Sequence, residues 1–253
     1  MLFLPEDADD LKTFLMRKPA AIPVTVIGGG SNLLIRDGGI PGVVVKLDAP
    51  AFRQVKFDGA EVTVGAGLKN SDLKKALIDN GVGGLLRTNA GCFGKTVSDV
   101  FVRAHIMNDW GQIYETGAED FNFSYRSSMF PENWIVLDAT LKGVKAAPEE
   151  IRKTMDEQLA YRLAHQPINK KTAGSTFKNP EGLQAWKLIK EAGCAGLKVG
   201  GAEVSDMHCN FLINRGKATA EDIEELGEMI IEKVKEKTAI TLEWEVRRMG
   251  VKK

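Results

Sequence analysis

Three runs in the middle of the chain, "DVFVRAHIM", "GQIYET" and "WIVLDATLKGV", read as strands, and from residue 148 the texture turns helical. Upstream, residues 6–18 have helical spacing through Leu11, Phe14 and Leu15. "IPVTVI" then reads as a buried strand entering "GGGSNLL", followed by the strand "PGVVVKL" and the pair "FRQVKF" and "AEVTVG". Asp58-Gly59 between that pair is a strong hairpin signal. A short helix over 71–79 is expected to end at the C-cap pair Asn80-Gly81. Downstream, 148–164, 182–192 and 219–237 are expected as helices, the last opening on Thr219 with Asp222 three residues on, an N-cap box variant. The chain closes on "AITLEWEVRRMG", which alternates like a strand. Strands and helices mix without βαβ alternation, so α+β is the class that fits.

Charge and cysteine usage remove several function classes. The 34 lysines and arginines match 34 aspartates and glutamates, so net charge is zero and bulk electrostatic binding of nucleic acid is not expected. No apolar run reaches about 18 residues and no basic-then-apolar leader opens the sequence, so a cytoplasmic protein without a membrane span is expected. Cys92, Cys194 and Cys209 lack C-x-x-C spacing and are odd in number. Free thiols in a reducing compartment fit them, and no metal site is expected.

Five short stretches carry the chemistry. In "VIGGGSNLL" a strand runs into consecutive glycines, which can turn backbone N–H groups toward a pyrophosphate. Leu33 stands where the dinucleotide fingerprint wants a third glycine, so a plain tight turn remains the other reading. "NAGCFG", residues 89–94, repeats the theme of small residues where a flat ligand could approach the backbone. In "TAGSTFKNP", Ser175 has no neighbouring histidine or lysine and no G-x-S-x-G elbow, so it is no activated nucleophile. Its hydroxyl could still donate a proton to a carbanion or enolate, with Lys178 and Asn179 as anion and amide contacts. A hydroxyl-closed turn with a solvated lysine is the bland equivalent. "YRSS" offers Arg126, a permanent cation able to grip a carboxylate with two N–H groups. "LEWEV" sets Glu243 and Glu245 on one face, opposite Leu242, Trp244 and Val246. Each of these alone reads equally well as solvated surface, and their weight lies in occurring together.

Together, in the order "VIGGGSNLLIRDGGIPGVVV", "NAGCFGKTVSDV", "FSYRSS", "AGSTFKNP", "AGCAGLKVGGAEVSDMHCNFLIN" and "LEWEVRRMG", they closely resemble the UDP-N-acetylenolpyruvoylglucosamine reductase family, the flavoenzymes of peptidoglycan precursor synthesis. The likeness spans nearly the whole chain. It implies a vanillyl-alcohol-oxidase-like FAD-binding unit over 1–147, in subdomains of about 1–47 and 48–147. A substrate-binding domain over 148–238 would follow, and a terminal strand over 239–253 would return to the FAD-binding unit. It further implies NADPH as electron donor, FAD as cofactor, and the enolpyruvyl ether of UDP-N-acetylglucosamine as the small-molecule substrate of a monomeric enzyme.

Residue by residue, the resemblance makes Ser175 the proton donor and has Arg126 and Glu245 stabilise the enolate-like intermediate. Glu245 is preferred to Glu243 because it immediately precedes the V-R segment. Gly28, Gly29, Gly30, Ser31 and Asn32 would line the FAD, as would Asn89, Ala90, Gly91 and Arg247. Lys178, Asn179 and Lys198 would face the nucleotide sugar, and His208 is expected to pack or hydrogen-bond rather than catalyse. No tyrosine-bearing substrate loop intervenes between Arg126 and Ser175, as in the shorter subtype. One departure stands out: the longer G-x-P-G-x-x-G-G loop that members carry before "NAG" is missing, and Asn80 to Gly84 runs almost directly into "LLRTNAG". The chain reads as having a cofactor loop excised between Gly81 and Leu86, which sets an FAD-impaired nucleotide-sugar-binding homologue beside the enzyme as the competing expectation.

Overall fold

The computed structural model describes residues 1–68, 82–144 and 146–253. The helix expected over 71–79 and its Asn80-Gly81 cap lie outside them. The chain forms two compact units, Met1–Gly30 with Pro41–Lys145, and Ser31–Ile40 with Ala146–Lys253.

In the first unit, helix α1 (Ala8–Arg17) begins where the Asp7 side chain accepts the Asp10 N–H at 2.9 Å, satisfying one orphan donor of the first turn. Leu11 and Leu15, four apart on one face, are its buried residues. Strands β1 (Leu2–Phe3) and β2 (Val24–Ile27) both pair in parallel with β4 (Val43–Lys46). Among the described residues a five-stranded antiparallel sheet carries the rest of this unit. Its order is β10-β9-β11-β6-β5, from β5 (Val55–Asp58), β6 (Glu61–Gly65), β9 (Phe101–Met107), β10 (Ile113–Thr116) and β11 (Ile135–Lys142). Val64, Ala104, Ile106, Met107 and Ala139 from these strands are fully buried in the core. Two short strands, β7 (Gly91–Cys92) and β8 (Lys95–Thr96), form a separate hairpin.

Two features differ from the sequence reading here. The β5–β6 hairpin pairs Asp58 with Glu61, so the loop is Gly59-Ala60 and Asp58 stays in the strand. Gly59 takes φ +59 at the first loop position, where a two-residue hairpin needs it. A short helix α2 (Val82–Arg87) also forms just before "NAG", despite Gly83 and Gly84. Its own Leu85 and Leu86 are buried, and that burial outweighs the poor helix propensity of glycine.

In the second unit, helices α4 (Pro148–His165), α5 (Ala185–Glu191) and α6 (Ala220–Thr238) lie close to their expected bounds. A four-residue helix α3 (Ala118–Phe121) belongs to the first unit. Leu226, Ile230 and Val234, at four-residue steps on α6, are fully buried with Ile189 of α5 and with Phe177. The expected cap box forms: Thr219 Oγ1 accepts the Asp222 N–H and Asp222 accepts the Thr219 N–H, both at 3.0 Å. Asp37 adds to it by accepting the Ala220 and Glu221 N–H groups at 3.1 and 3.2 Å. A small antiparallel sheet joins β12 (Lys198–Val199), β13 (Ala202–Val204) and β14 (Leu212–Asn214).

The closing segment is less regular than its alternation predicts. Only β15 (Arg247–Met249) is a strand, paired in parallel with β3 (Leu33–Ile35). The preceding residues are drawn to the segment around Phe177 instead, and Trp244 bridges Phe177.

Candidate functional site

The glycine run opens where strand β2 ends. Gly28, Gly29 and Gly30 are exposed, and a β-carbon added to any of them would meet nothing within 4 Å. Gly30 takes φ +76, which favours glycine. This is an open backbone cradle, and glycine N–H groups followed by Ser31 and Asn32 are a donor set that suits a pyrophosphate, so these residues fit the FAD that the resemblance implies.

In the first unit the structure brings "NAG" to the turn that bears Arg126. Ser124 and Ser127 exchange backbone hydrogen bonds at 3.0 and 3.2 Å, leaving Tyr125-Arg126 at the tip. Arg126 adopts φ +53, a left-handed conformation that costs a non-glycine residue roughly 1–2 kcal/mol and that clusters at functional positions. Its Nη2 donates to the Gly91 carbonyl at 3.2 Å. A β-carbon on Gly91 would stand 3.1 Å from Arg126 Nη1 and 2.9 Å from the Lys95 carbonyl. Gly91 is therefore a glycine chiefly because the Lys95 carbonyl comes close to it across the hairpin, with the guanidinium crowding the same place. Asn89 is buried, donating to the Ser124 carbonyl at 3.0 Å and accepting the Ser98 N–H at 3.1 Å. Ala90 is tied by its N–H to Leu85 and by its carbonyl to Val97. Phe121 and Phe130, which flank the turn in sequence, stack on each other with ring centroids 4.9 Å apart.

The second unit assembles a different group. The segment from Ser175 to Lys178 runs extended between two others. On one edge Ser175 bridges Phe211 and the Thr176 N–H donates to the Asn210 carbonyl at 2.7 Å. On the other, the Glu245 N–H donates to the Thr176 carbonyl and the Lys178 N–H to the Glu243 carbonyl, both at 2.8 Å. Ser175 and Glu245 thus stand on adjacent chains. The extended bridge replaces the hydroxyl-closed turn, and among the described residues Ser175 Oγ makes no protein hydrogen bond. Asn32 joins this group: its Nδ2 donates to the Glu245 carbonyl at 3.1 Å and its own carbonyl accepts the Arg247 N–H at 3.0 Å.

The expected substrate contacts have internal partners. Lys178 Nζ lies 3.2 Å from Glu243 Oε2. Asn179 Oδ1 accepts the Ala185 N–H at 3.0 Å at the start of α5, and exposed Lys198 lies 4.0 Å from Glu203. His208 packs against Phe211, with ring centroids 4.8 Å apart, and against Trp186 at 5.9 Å. Burial pulls its pKa below the ordinary histidine value by disfavouring the charged ring. Cys92, Cys194 and Cys209 form no disulfide among the described residues. Burial pushes the Cys194 and Cys209 thiols up, away from reactivity. Among the described residues no group of three or more His, Cys, Asp or Glu side chains could hold a metal ion, and no helix is long and apolar enough to cross a membrane.

Two residues carry more of this arrangement than their sequence context signals. Asn210 clasps Phe177 with its side chain, and Asp37 caps α6 from "LLIRDGG". Neither position shows a local pattern that marks it.

Comparison with known proteins extends over the whole chain. A family model described as FAD binding domain matches residues 1–117, and one described as UDP-N-acetylenolpyruvoylglucosamine reductase, C-terminal domain, matches 166–249. The UDP-N-acetylenolpyruvoylglucosamine reductase of Bradyrhizobium sp. strain ORS 278 is 46% identical over 265 residues, covering 100% of this chain and 86% of that protein. The protein of the same name from Parvibaculum lavamentivorans is 44% identical with the same coverage. The alignment of 265 positions for 253 residues means that the relative carries positions this chain lacks. Among solved structures, UDP-N-acetylenolpyruvylglucosamine reductase from Thermus caldophilus superposes with a TM-score of 0.84 at 32% identity, covering 98% of this chain and 92% of that one.

Proposed function

Because the chain belongs to the UDP-N-acetylenolpyruvoylglucosamine reductase family, we propose that it reduces UDP-N-acetylglucosamine enolpyruvate to UDP-N-acetylmuramate in peptidoglycan precursor synthesis, with NADPH as electron donor and FAD as cofactor. When bound, FAD relays a hydride from NADPH to the enolpyruvyl double bond. Gly28, Gly29, Gly30, Ser31 and Asn32 would hold its pyrophosphate, with Asn89, Ala90, Gly91 and Arg247 also on the cofactor side. This assigns residues 1–147 to the flavin and 148–238 to the substrate. On this reading the segment from 239 is a terminal strand returning to the flavin-binding unit.

Reduction of the double bond needs one hydride and one proton. Ser175 supplies the proton to the carbon that becomes carbanionic, and the serine regains it from water. Arg126, a fixed cation, and Glu245, through a carboxyl hydrogen bond, stabilise the charge that builds on the substrate carboxylate. Lys178, Asn179 and Lys198 meet the nucleotide sugar. The observation that supports these roles is the placement of Ser175 and Glu245 on adjacent extended chains joined through Thr176, with the serine hydroxyl uncommitted among the described residues. A nucleotide sugar and NADPH as partners fit a cytoplasmic enzyme, which we read as a monomer. Sedimentation at working concentration tests that last point.

The decisive test separates the two half-reactions. Ser175→Ala should leave flavin bleaching by NADPH unchanged and slow the recovery of flavin absorbance with substrate by about 10²–10⁴-fold. Equal losses in both would make the serine a structural residue only.

A further inference from the structure

The segment that carries Ser175 is held along one edge by a single buried side chain. Asn210 is 3% exposed. Its Oδ1 accepts the Phe177 N–H at 2.9 Å and its Nδ2 donates to the Phe177 carbonyl at 2.8 Å. Its own backbone carbonyl takes the Thr176 N–H at 2.7 Å. A carboxamide presents one acceptor and one donor in a plane, as a peptide group does, so this side chain stands in for a neighbouring strand. Phe177 is fully buried, so no water can replace the partners that Asn210 supplies to its backbone N–H and carbonyl. Aspartate would keep the acceptor but lose the donor, and alanine would lose both.

Thr176, between Ser175 and Phe177, receives the Glu245 N–H from the opposite edge. Loosening the Asn210 clasp therefore shifts the serine against the glutamate. We propose that Asn210 is a positioning residue for proton transfer: acting through the backbone of Thr176 and Phe177, it fixes where the Ser175 hydroxyl stands relative to Glu245 and the substrate. This rests on the reading of Ser175 as the proton donor. Asn210 itself is too deeply buried to touch substrate.

The test uses flavin-loaded enzyme and four variants: Asn210→Asp, Asn210→Ala, Ser175→Ala and the double variant Ser175→Ala/Asn210→Asp. Bleaching by NADPH should match the parent in Asn210→Asp, while recovery with substrate slows by up to about 10²-fold, the scale of an ångström-sized misplacement. Substrate affinity of the oxidised enzyme should hold. The double variant should be no slower than Ser175→Ala alone, because placement has nothing to act on once the hydroxyl is gone. Amide exchange at Phe177 should quicken in Asn210→Ala, and if that variant does not fold, the same measurement in Asn210→Asp replaces it. Parent-like recovery in Asn210→Asp, or losses that multiply in the double variant, would overturn the proposal. If Ser175→Ala itself recovers at the parent rate, the reading of Ser175 fails and the role of Asn210 fails with it. A slow Ser175→Ala beside a normal Asn210→Asp sinks the Asn210 role alone.

Discussion

The indole of Trp244 fills the place that a side chain on Gly227 would take. A β-carbon built on Gly227, inside helix α6, would stand 2.2 Å from Trp244 Cζ2 and 2.3 Å from Cη2. An interior helical glycine costs about 1 kcal/mol against alanine, so this one is explained by the ring it admits. Trp244 is fixed from other directions as well. Its Nε1 donates to Glu228 at 3.1 Å, Arg248 lies 4.4 Å over its ring, and Phe177 packs 5.2 Å away.

Gly227→Ala should therefore destabilise the protein. Overpacking at about 1–3 kcal/mol exceeds the propensity gain of about 1 kcal/mol, so the melting temperature drops by a few degrees. Because Trp244 lies between Glu243 and Glu245, flavin recovery with substrate should slow while bleaching by NADPH holds. A variant more stable than the parent would mean that the indole does not rest on this glycine.

Arg126 offers a test of charge stabilisation. Arg126→Lys keeps the charge but loses the planar fork. Turnover should fall by about 10²–10³-fold, the scale of losing one donor to a developing anion, with little change in substrate affinity. Gly91→Ala should mimic it in part, since the added carbon would stand 2.9 Å from the Lys95 carbonyl and 3.1 Å from the guanidinium, so the hairpin that Arg126 bonds must shift. A loss confined to KM in Arg126→Lys assigns the arginine to ground-state binding instead.

Asp222 predicts a stability change with a definite pH dependence. Hydrogen bonds from the Gly201 and Thr219 N–H groups hold its carboxyl below the usual range. A depressed folded pKa contributes stability that is present above the unfolded value, about 3.9, and is lost as pH falls through the folded value. At neutral pH, Asp222→Asn should be less stable by about 1 kcal/mol, the weight of a helix cap. The gap to the parent should close as pH drops below the ordinary carboxylate range. A gap that stays constant from neutral to acid would refute the assignment.

Arg36 and Glu224 make a half-buried pair: Nε donates at 3.0 Å and Nη2 at 2.8 Å, with the glutamate side chain only 7% exposed. Hydrogen bonding to Glu224 raises the arginine pKa. Arg36→Ala strands most of a buried carboxylate, since Arg248 remains 3.7 Å away. A loss of stability is expected, smaller than that of breaking a fully buried pair because Arg36 is partly solvated. Urea unfolding of Arg36→Ala and Arg36→Ala/Glu224→Gln checks this, and the second change should restore part of the loss.

Local signals explain what could be read from the sequence. Thr219 with Asp222 marks a helix start through atoms a few residues apart, and the structure keeps it. The hairpin slipped by one residue because Asp58-Gly59 and Gly59-Ala60 both put a glycine at the turn, and only the pairing of Asp58 with Glu61 decides between them. The terminal alternation promised a long strand, but the residues before Arg247 meet the Ser175 segment through one isolated bridge, Trp244 with Phe177. Ser175, Arg126 and Glu245 stood out only through the motifs around them. Asn210 and Asp37 did not stand out at all. Their partners lie 33 and 183 residues away, and an asparagine or aspartate says nothing about a partner that distant.

The pairing of Leu33–Ile35 with Arg247–Met249 also dictates an order of events during synthesis. Arg36 must wait for Glu224, 188 residues later, and its second bond, to the Gly250 carbonyl, spans 214. On a ribosome adding about 5–20 residues per second, residues 31–40 emerge many seconds before any of these partners exist. The second unit therefore closes only after translation has nearly finished. A fragment beginning at Ala146 would lack the β3 strand, the Arg36 clasp and the Asp37 cap together, so severing the chain there divides one folding unit.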